Sequence, residues 1–480
     1  LSAASRRYRF CTFVEAACRV AIIGGCVSDD EGRKSRTLFG HPRGVFVLAG
    51  TEVWDRISFQ GMQALLVLYM VHALLLPGHI EHVLGFANYR AFVERFTGPL
   101  SVDALATQTF GLYVSLVYLM PLLGGVIGDR LLGRRNTVVL GGLLMSAGHL
   151  LLTFDASFLI AIAFLIVGAG LFRGNLTPQM GELYDVKDRR RDEAFQIYAM
   201  ALNLGAFLGP LITASLATYV GWHAGFGFAG VGMLIGLAVY IGGSGLLPKR
   251  DALKVVEDPA APKLGRDDWR ALAFLFALAP VSTLFWIAQS QIWNTYNLWV
   301  KDHVDMHIFG WEMPIPFLQS VDAAPIVLIP LVLLYWRWQA RRDREPGEFV
   351  KAAIGCFIFA LGTWWLGFAY IAADAHGRTP LAWLAVFHLV SNLGWVYFTP
   401  TIIAIYSRMA PPSLNATMYG VYTLSVSLGA FISGRLGGLY EKVSPYTFWS
   451  IHAAIVAVGG VLILLFGIVA RRVRPQLQSS

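Results

Sequence analysis

Apolar runs of about 20 residues, the length a helix needs to cross a bilayer, recur twelve times along this chain and limit its fold more than any other feature. They lie at roughly 44–76, 106–128, 136–154, 157–182, 193–218 and 223–247, then at 269–300, 318–338, 348–373, 381–407, 414–440 and 446–470. A polar, proline-containing stretch, KRDALKVVEDPAAPKLGRDD, separates the two sets. Only 14% of the residues are charged, whereas a soluble domain carries about a quarter. We therefore expect an all-α membrane protein of twelve spanning helices in two six-helix bundles. The corresponding segments are a tail over 1–43, a first bundle over 44–247, a linker over 248–268, a second bundle over 269–470 and a tail over 471–480.

The net charge of +8 raises nucleic acid as a partner. The basic residues argue against it, because they sit in short connectors: Asp129-Arg130, Arg134-Arg135, Lys187 to Arg191, Lys249-Arg250, Arg341-Arg342 and Arg471-Arg472. Nucleic-acid binding would need them gathered on one soluble face. Alternate connectors rich in Arg and Lys are instead the mark of cytoplasmic loops, which places both termini in the cytoplasm and the chain, multi-pass, in the cell (inner) membrane. The partners expected are then the lipid bilayer and a solute, with the protein a monomer. Cysteines at 11, 18, 26 and 356 form neither a disulfide framework nor a zinc site. Ile23-Gly24-Gly25-Cys26 resembles a lipoprotein cleavage box, but Glu15 and Arg19 interrupt the apolar stretch that such a signal needs. No metalloprotease His-Glu-x-x-His, phosphate-binding loop or nucleophile elbow occurs, so neither an enzyme, nor a metal, nor a cofactor is expected.

Charges inside a span cost about 2.5–3.5 kcal/mol each and mark function by default. Glu52, Asp55 and Arg56 interrupt the first run, with Glu52 and Arg56 spaced to pair along one helix face. Gln60 and Gln63 continue the polar stripe, which we read as facing a water-filled cavity; the alternative is a structural ion pair locking two helices. Arg173 is the charge of the fourth run, where Gly174 and Pro178 would loosen the helix. It offers a cation to an anionic solute, or else snorkels to the membrane surface. In the seventh run Trp286, Gln289, Trp293 and Asn297 fall near one face at helical spacing, either a pocket wall or packing. In the tenth, Asn392 and Trp395 precede Pro400, expected to kink a gate helix. His79 and His82 read as loop residues.

The turn Gly128-Asp129-Arg130-x-x-Gly133-Arg134-Arg135 resembles the signature loop of the major facilitator superfamily, and its role would be gating. Four ordered segments resemble the proton-dependent oligopeptide transporters of that superfamily over residues 41–470: HPRGVFVLAGTEVWDRISFQGMQALLVLYM, GGVIGDRLLGRRNTVVLGGLLMSAGHLL, FQIYAMALNLGAFLGPL and SRMAPPSLNATMYGVYTLSVSLGAFISG. The resemblance implies the major facilitator fold and proton-coupled symport of di- and tripeptides by alternating access. It puts Arg56 near the peptide carboxylate, with Glu52 as its motif partner, and Tyr198 and Asn203 in the fifth-helix binding positions.

Several positions depart from the family pattern. Its second motif Glu is Asp55, its Tyr-Tyr-Gly-Met-Arg is Phe59-Gln60-Gly61-Met62-Gln63, and its fourth-helix Lys is Arg173. Its seventh-helix Glu-Gln is Ser290-Gln291, and its tenth-helix Glu, expected to hold the peptide amine, is Trp395. The short linker leaves no room for the two extra helices of many bacterial members. The anion-facing side thus survives while the amine-facing carboxylate is lost. That keeps a second possibility open, a transporter of non-peptide organic anions with altered or absent proton coupling. Glu52 and Asp55 remain the expected proton-binding groups.

Overall fold

The computed structural model describes residues 37–185, 188, 190–248, 265–323, 325–411 and 414–473. The tail over 1–36, most of the linker and the last seven residues lie outside the described residues. Twelve long helices follow the twelve apolar runs. In the first half they are α1 (Arg43–Tyr69, continued by a π turn, Met70–Leu74), α2 (Val102–Ile127), α3 (Arg134–Leu151), α4 (Phe158–Glu182), α5 (Arg190–Tyr219) and α6 (Trp222–Gly243). In the second half they are α7 (Arg266–Gln291), α8 (Pro325–Ala340), α9 (Glu348–Gly367), α10 (Leu381–Met409), α11 (Asn415–Gly437) and α12 (Pro445–Val473). Among the described residues ten of these regions are long and apolar enough to cross a membrane. The other two, α3 and α11, fall short for visible reasons: α3 opens on Arg134-Arg135-Asn136, and α11 is rich in Gly, Ser and Thr.

Local chemistry sets the ends. Ser101 caps α2 by accepting from the Ala104 amide at 3.2 Å. Gly133, between α2 and α3, adopts φ 74°, a left-handed conformation that a side chain disfavours. The seventh run is not one helix. It stops at Gln291, turns through Ile292–Asn294 and resumes as a short helix, Thr295–His303.

Within the first half α1 packs on α5 and α6, and α4 on α2 and α3; in the second, α7 packs on α11 and α12, and α9 on α10 and α12. Glycines let these backbones approach. A Cβ on Gly124 would stand 2.0 Å from the Gly170 carbonyl oxygen, and one on Gly141 2.7 Å from that of Gly168. The halves meet chiefly along α2 and α11, where Ser427 donates to the Ser115 carbonyl at 2.9 Å. Further hydrogen bonds between halves join Asn294 Nδ2 to the Thr107 carbonyl (3.1 Å), Trp311 Nε1 to the Tyr219 hydroxyl (2.8 Å) and Ser320 Oγ to the Phe207 carbonyl (2.8 Å). These contacts run from mid-helix to the end that carries His303. The opposite end carries Arg134.

Candidate functional site

The charged cluster forms because α5 lets α1 come close. A Cβ on Gly205 would lie 2.5 Å from both Arg56 Cβ and the Val53 carbonyl oxygen, so only glycine fits. That approach carries Tyr198, two turns earlier on α5, onto Glu52. The Glu52 carboxylate accepts from the Tyr198 hydroxyl at 2.5 Å and, through its other oxygen, from Arg56 Nε at 2.8 Å. Tyr198 also meets the Thr177 hydroxyl of α4 at 3.1 Å. Asp55 projects toward α4 and accepts from Arg173 Nε and Nη2 at 3.1 and 3.3 Å. The Arg173 guanidinium lies 3.9 Å over the Phe59 ring. Arg56 Nε stands 3.8 Å from Asp55, which joins the two pairs into one network.

Two carboxylates and two guanidiniums give this network no formal charge. Such compensation is what allows charges to persist where water is scarce, and removing one partner of a buried pair costs about 3–5 kcal/mol. Access is uneven. Glu52 and Asp55 are 1% and 0% exposed, whereas the Arg56 side chain is 20% exposed. Arg56 is therefore the member best placed to meet a solute, and it lies within electrostatic reach of Tyr118 on α2, which in turn neighbours Tyr419 and Tyr422 on α11.

The other expected site residues scatter. Gln60 is partly exposed and Gln63 buried on the same α1 stripe. Arg173 neither snorkels nor stands free, being held by Asp55, and Gly174 serves close packing against the Pro121 carbonyl of α2. Asn203 donates to its own helix at Ala199 and lines a groove of about 740 Å³ between α1, α5 and α8, away from the charged network. Trp286 and Gln289 lie on α7, with Trp286 packed edge-on to Phe285 and Tyr422. Asn297 does not share their helix face, because the chain breaks at Ile292–Asn294; its side-chain oxygen instead accepts from Gln319 at 2.7 Å. Asn392 donates to the Val321 and His388 carbonyls, which makes it a helix tie, and Trp395 packs in the second-half core. Pro400 is exposed inside an unbroken α10.

In the signature turn, Gly128 is required by contact, since a Cβ there would overlap the Asn175 side chain. Arg134 bridges Asp129 at 2.7 Å and Glu182 at 2.5 Å, and Arg135 reaches Ser244, while Arg130 is exposed. These pairs tie together helix ends of the first half, so they brace that bundle.

Sequence reasoning missed other polar groups. His79 is one of three residues gathered on Asp155, with Tyr69 at 2.5 Å and His223 at 2.9 Å. His149 is fully buried behind Asp55 and Arg173. Asp322, His388 and Tyr296 meet in the second half. Histidines and tyrosines interrupt an apolar run less visibly than carboxylates and guanidiniums do, and nothing in their spacing announces contacts across 90 residues.

A sequence model of the Major Facilitator Superfamily matches residues 64–434. The chain belongs to the Major Facilitator Superfamily. Over 92% of its length it is 27% identical to a Bacillus subtilis (strain 168) protein named as the uncharacterized transporter YclF, and it covers 96% of that protein. It is also 27% identical to the peptide transporter YePEPT of Yersinia enterocolitica, with 90% of this chain and 95% of that protein aligned. A di-/tripeptide transporter of Lactococcus lactis subsp. lactis is 24% identical, over 90% of this chain and 96% of its own. Among solved structures, a POT peptide transporter in complex with sulfate superposes with TM-score 0.78 at 24% identity, covering 92% of this chain and 97% of its own. A POT family transporter in complex with 5-aminolevulinic acid gives 0.75 at 24%, with 90% and 97% covered. The fold is thus the twelve-helix fold of this superfamily, and two of these three relatives are named as peptide transporters.

Proposed function

We propose that this superfamily member is a proton-coupled symporter of di- and tripeptides or peptide-like solutes in the cell (inner) membrane, with the Arg134 end and both termini cytoplasmic. The observation that carries the reading is the occupancy of Arg56. Its Nε is satisfied by Glu52 at 2.8 Å, yet it is the most exposed charge of the network. A peptide carboxylate and the Glu52 carboxylate therefore compete for one guanidinium. A proton on Glu52 removes its charge, with Tyr198 still hydrogen-bonded to it, and frees Arg56 for the substrate; substrate departure reverses the exchange. Asp55, buried, and Arg173, half-buried and paired to it by two hydrogen bonds, hold α1 against α4 while this happens. Because the halves are joined toward the His303 end, the substrate path in this conformation leads to the Arg134 end.

Uptake of labelled dialanine into proteoliposomes with an imposed proton gradient tests the reading. Saturable accumulation above the outside concentration is expected. Absence of uptake for every dipeptide, with binding of simple carboxylates intact, would transfer the assignment to non-peptide organic anions.

A further inference from the structure

The seventh-helix carboxylate of the resembled family is Ser290 here, so the second half is left without that acidic group. The structure holds an acid elsewhere. Asp322 lies in a single helical turn, Val321–Ala323, just before α8, and its side chain is 13% exposed. His388 of α10, 1% exposed, brings Nδ1 to 3.6 Å from Asp322 Oδ1. The other ring nitrogen, Nε2, meets the Tyr296 hydroxyl at 2.9 Å. Among the described residues Asp322 Oδ2 and His388 Nδ1 are buried without a hydrogen-bond partner. A partly buried carboxylate whose Oδ2 accepts nothing and whose Oδ1 faces an imidazole is more stable with a proton between them than without it.

We propose that Asp322 and His388 form a second proton-binding site, in the C-terminal half, with Tyr296 as its hydrogen-bonded support. The proton sits between Asp322 Oδ1 and His388 Nδ1, either on the ring beside a carboxylate or on the acid beside a neutral ring. Its loss leaves Asp322 an anion without a counter-charge. Among the described residues, no other ion pair or hydrogen bond brings a cation to Asp322. The short helix Thr295–His303 contributes Tyr296 as the titratable group at this end, its Asp302 being engaged by Tyr440. From α10 come His388 and the neutral Asn392, and α5 meets the turn through the Phe207 carbonyl.

The location gives the proton mechanical leverage. Ser320, two residues before Asp322, makes a hydrogen bond that crosses to the first half at Phe207, and Asn392 of α10 ties Val321. Protonating the pair draws this turn toward α10, and deprotonating it releases the turn, so the proton biases a contact between the bundles. The transport part of this inference rests on the peptide reading above; the proton site itself does not.

Two measurements on the full-length protein test it. The first is pH-titrated infrared difference spectroscopy without substrate. A carboxyl band present in the wild type and missing in Asp322→Asn is expected to titrate together with an imidazole band, and His388→Gln should move its midpoint by about one pH unit or more, a tenfold change in proton affinity. A carboxyl band with the same midpoint in His388→Gln, or no titrating band assignable to Asp322, overturns the site. The second compares dialanine exchange at equal concentrations on both sides with gradient-driven accumulation. Asp322→Asn and His388→Gln should exchange within about twofold of wild type while accumulation falls at least tenfold. Normal accumulation in both overturns the coupling role. If neither variant folds, the conservative Tyr296→Phe decides, since an unchanged pH profile of accumulation would then sink the proposal. Failure of wild-type dialanine exchange would count against the peptide reading and leave the infrared result to judge the site.

Discussion

Arg173 and Arg56 carry the same charge and do different work. Arg173 grips Asp55 with two N–H groups and covers Phe59 with the flat of its guanidinium, geometry that a lysine cannot copy. Arg173→Lys should therefore lower stability by roughly 1–3 kcal/mol, read as a drop in the detergent melting temperature; an unchanged melt would contradict the structural role. In the function proposed above Arg56 meets the solute, so amidating the carboxylate of dialanine should weaken binding at least tenfold, about 1.4 kcal/mol. In Arg56→Gln that penalty should vanish, because the two changes remove one interaction. A full penalty in the variant would place the carboxylate elsewhere. Glu52, Asp55, Arg56 and Arg173 were legible in the sequence because charge stands out against apolar runs. Asp322 was overlooked at the edge of a run, and His388 and Tyr296 look like ordinary residues until the fold brings them to 3.6 and 2.9 Å.

At the scale of helices, hydrophobic length gave the spans almost unaided. The break after Gln291 was hidden because apolar residues continue at Ile292, Trp293, Leu298 and Trp299 around Asn294, Thr295 and Asn297, and hydropathy records burial but not backbone direction. That break is why Asn297 ties Gln319 and does not extend the face of Trp286. Helix contacts were foreshadowed by the glycines, though not their pairings. With the Gly170 backbone 2.0 Å from a Cβ at Gly124, Gly124→Val should separate α2 from α4 and remove the braced Asp129–Arg134–Glu182 corner. Loss of the monodisperse peak in size-exclusion chromatography is the expected outcome. A well-folded, transport-active Gly124→Val protein would contradict the packing described.

The whole molecule is two bundles leaning on each other along α2 and α11, a relation with no trace in local sequence. Gly111 meets Gly434 there, where a Cβ on Gly111 would lie 2.6 Å from the facing Cα. Gly111→Val should therefore hold the halves apart at the His303 end. Spin labels at Val220 and Phe309, both exposed in loops near the Trp311–Tyr219 hydrogen bond, should report a longer distance than in the unmodified protein. An identical distance distribution would mean that this interface does not set the closed state. In the proposed transport cycle one proton on Glu52 is exchanged against a peptide carboxylate at Arg56. The most direct test is lumenal pH in proteoliposomes when dialanine is added outside with no preset gradient. The wild type should acidify the lumen, whereas Glu52→Gln should exchange labelled dialanine and acidify the lumen more slowly, through the proton of Asp322 and His388 alone. Acidification by Glu52→Gln at the wild-type rate would contradict the account.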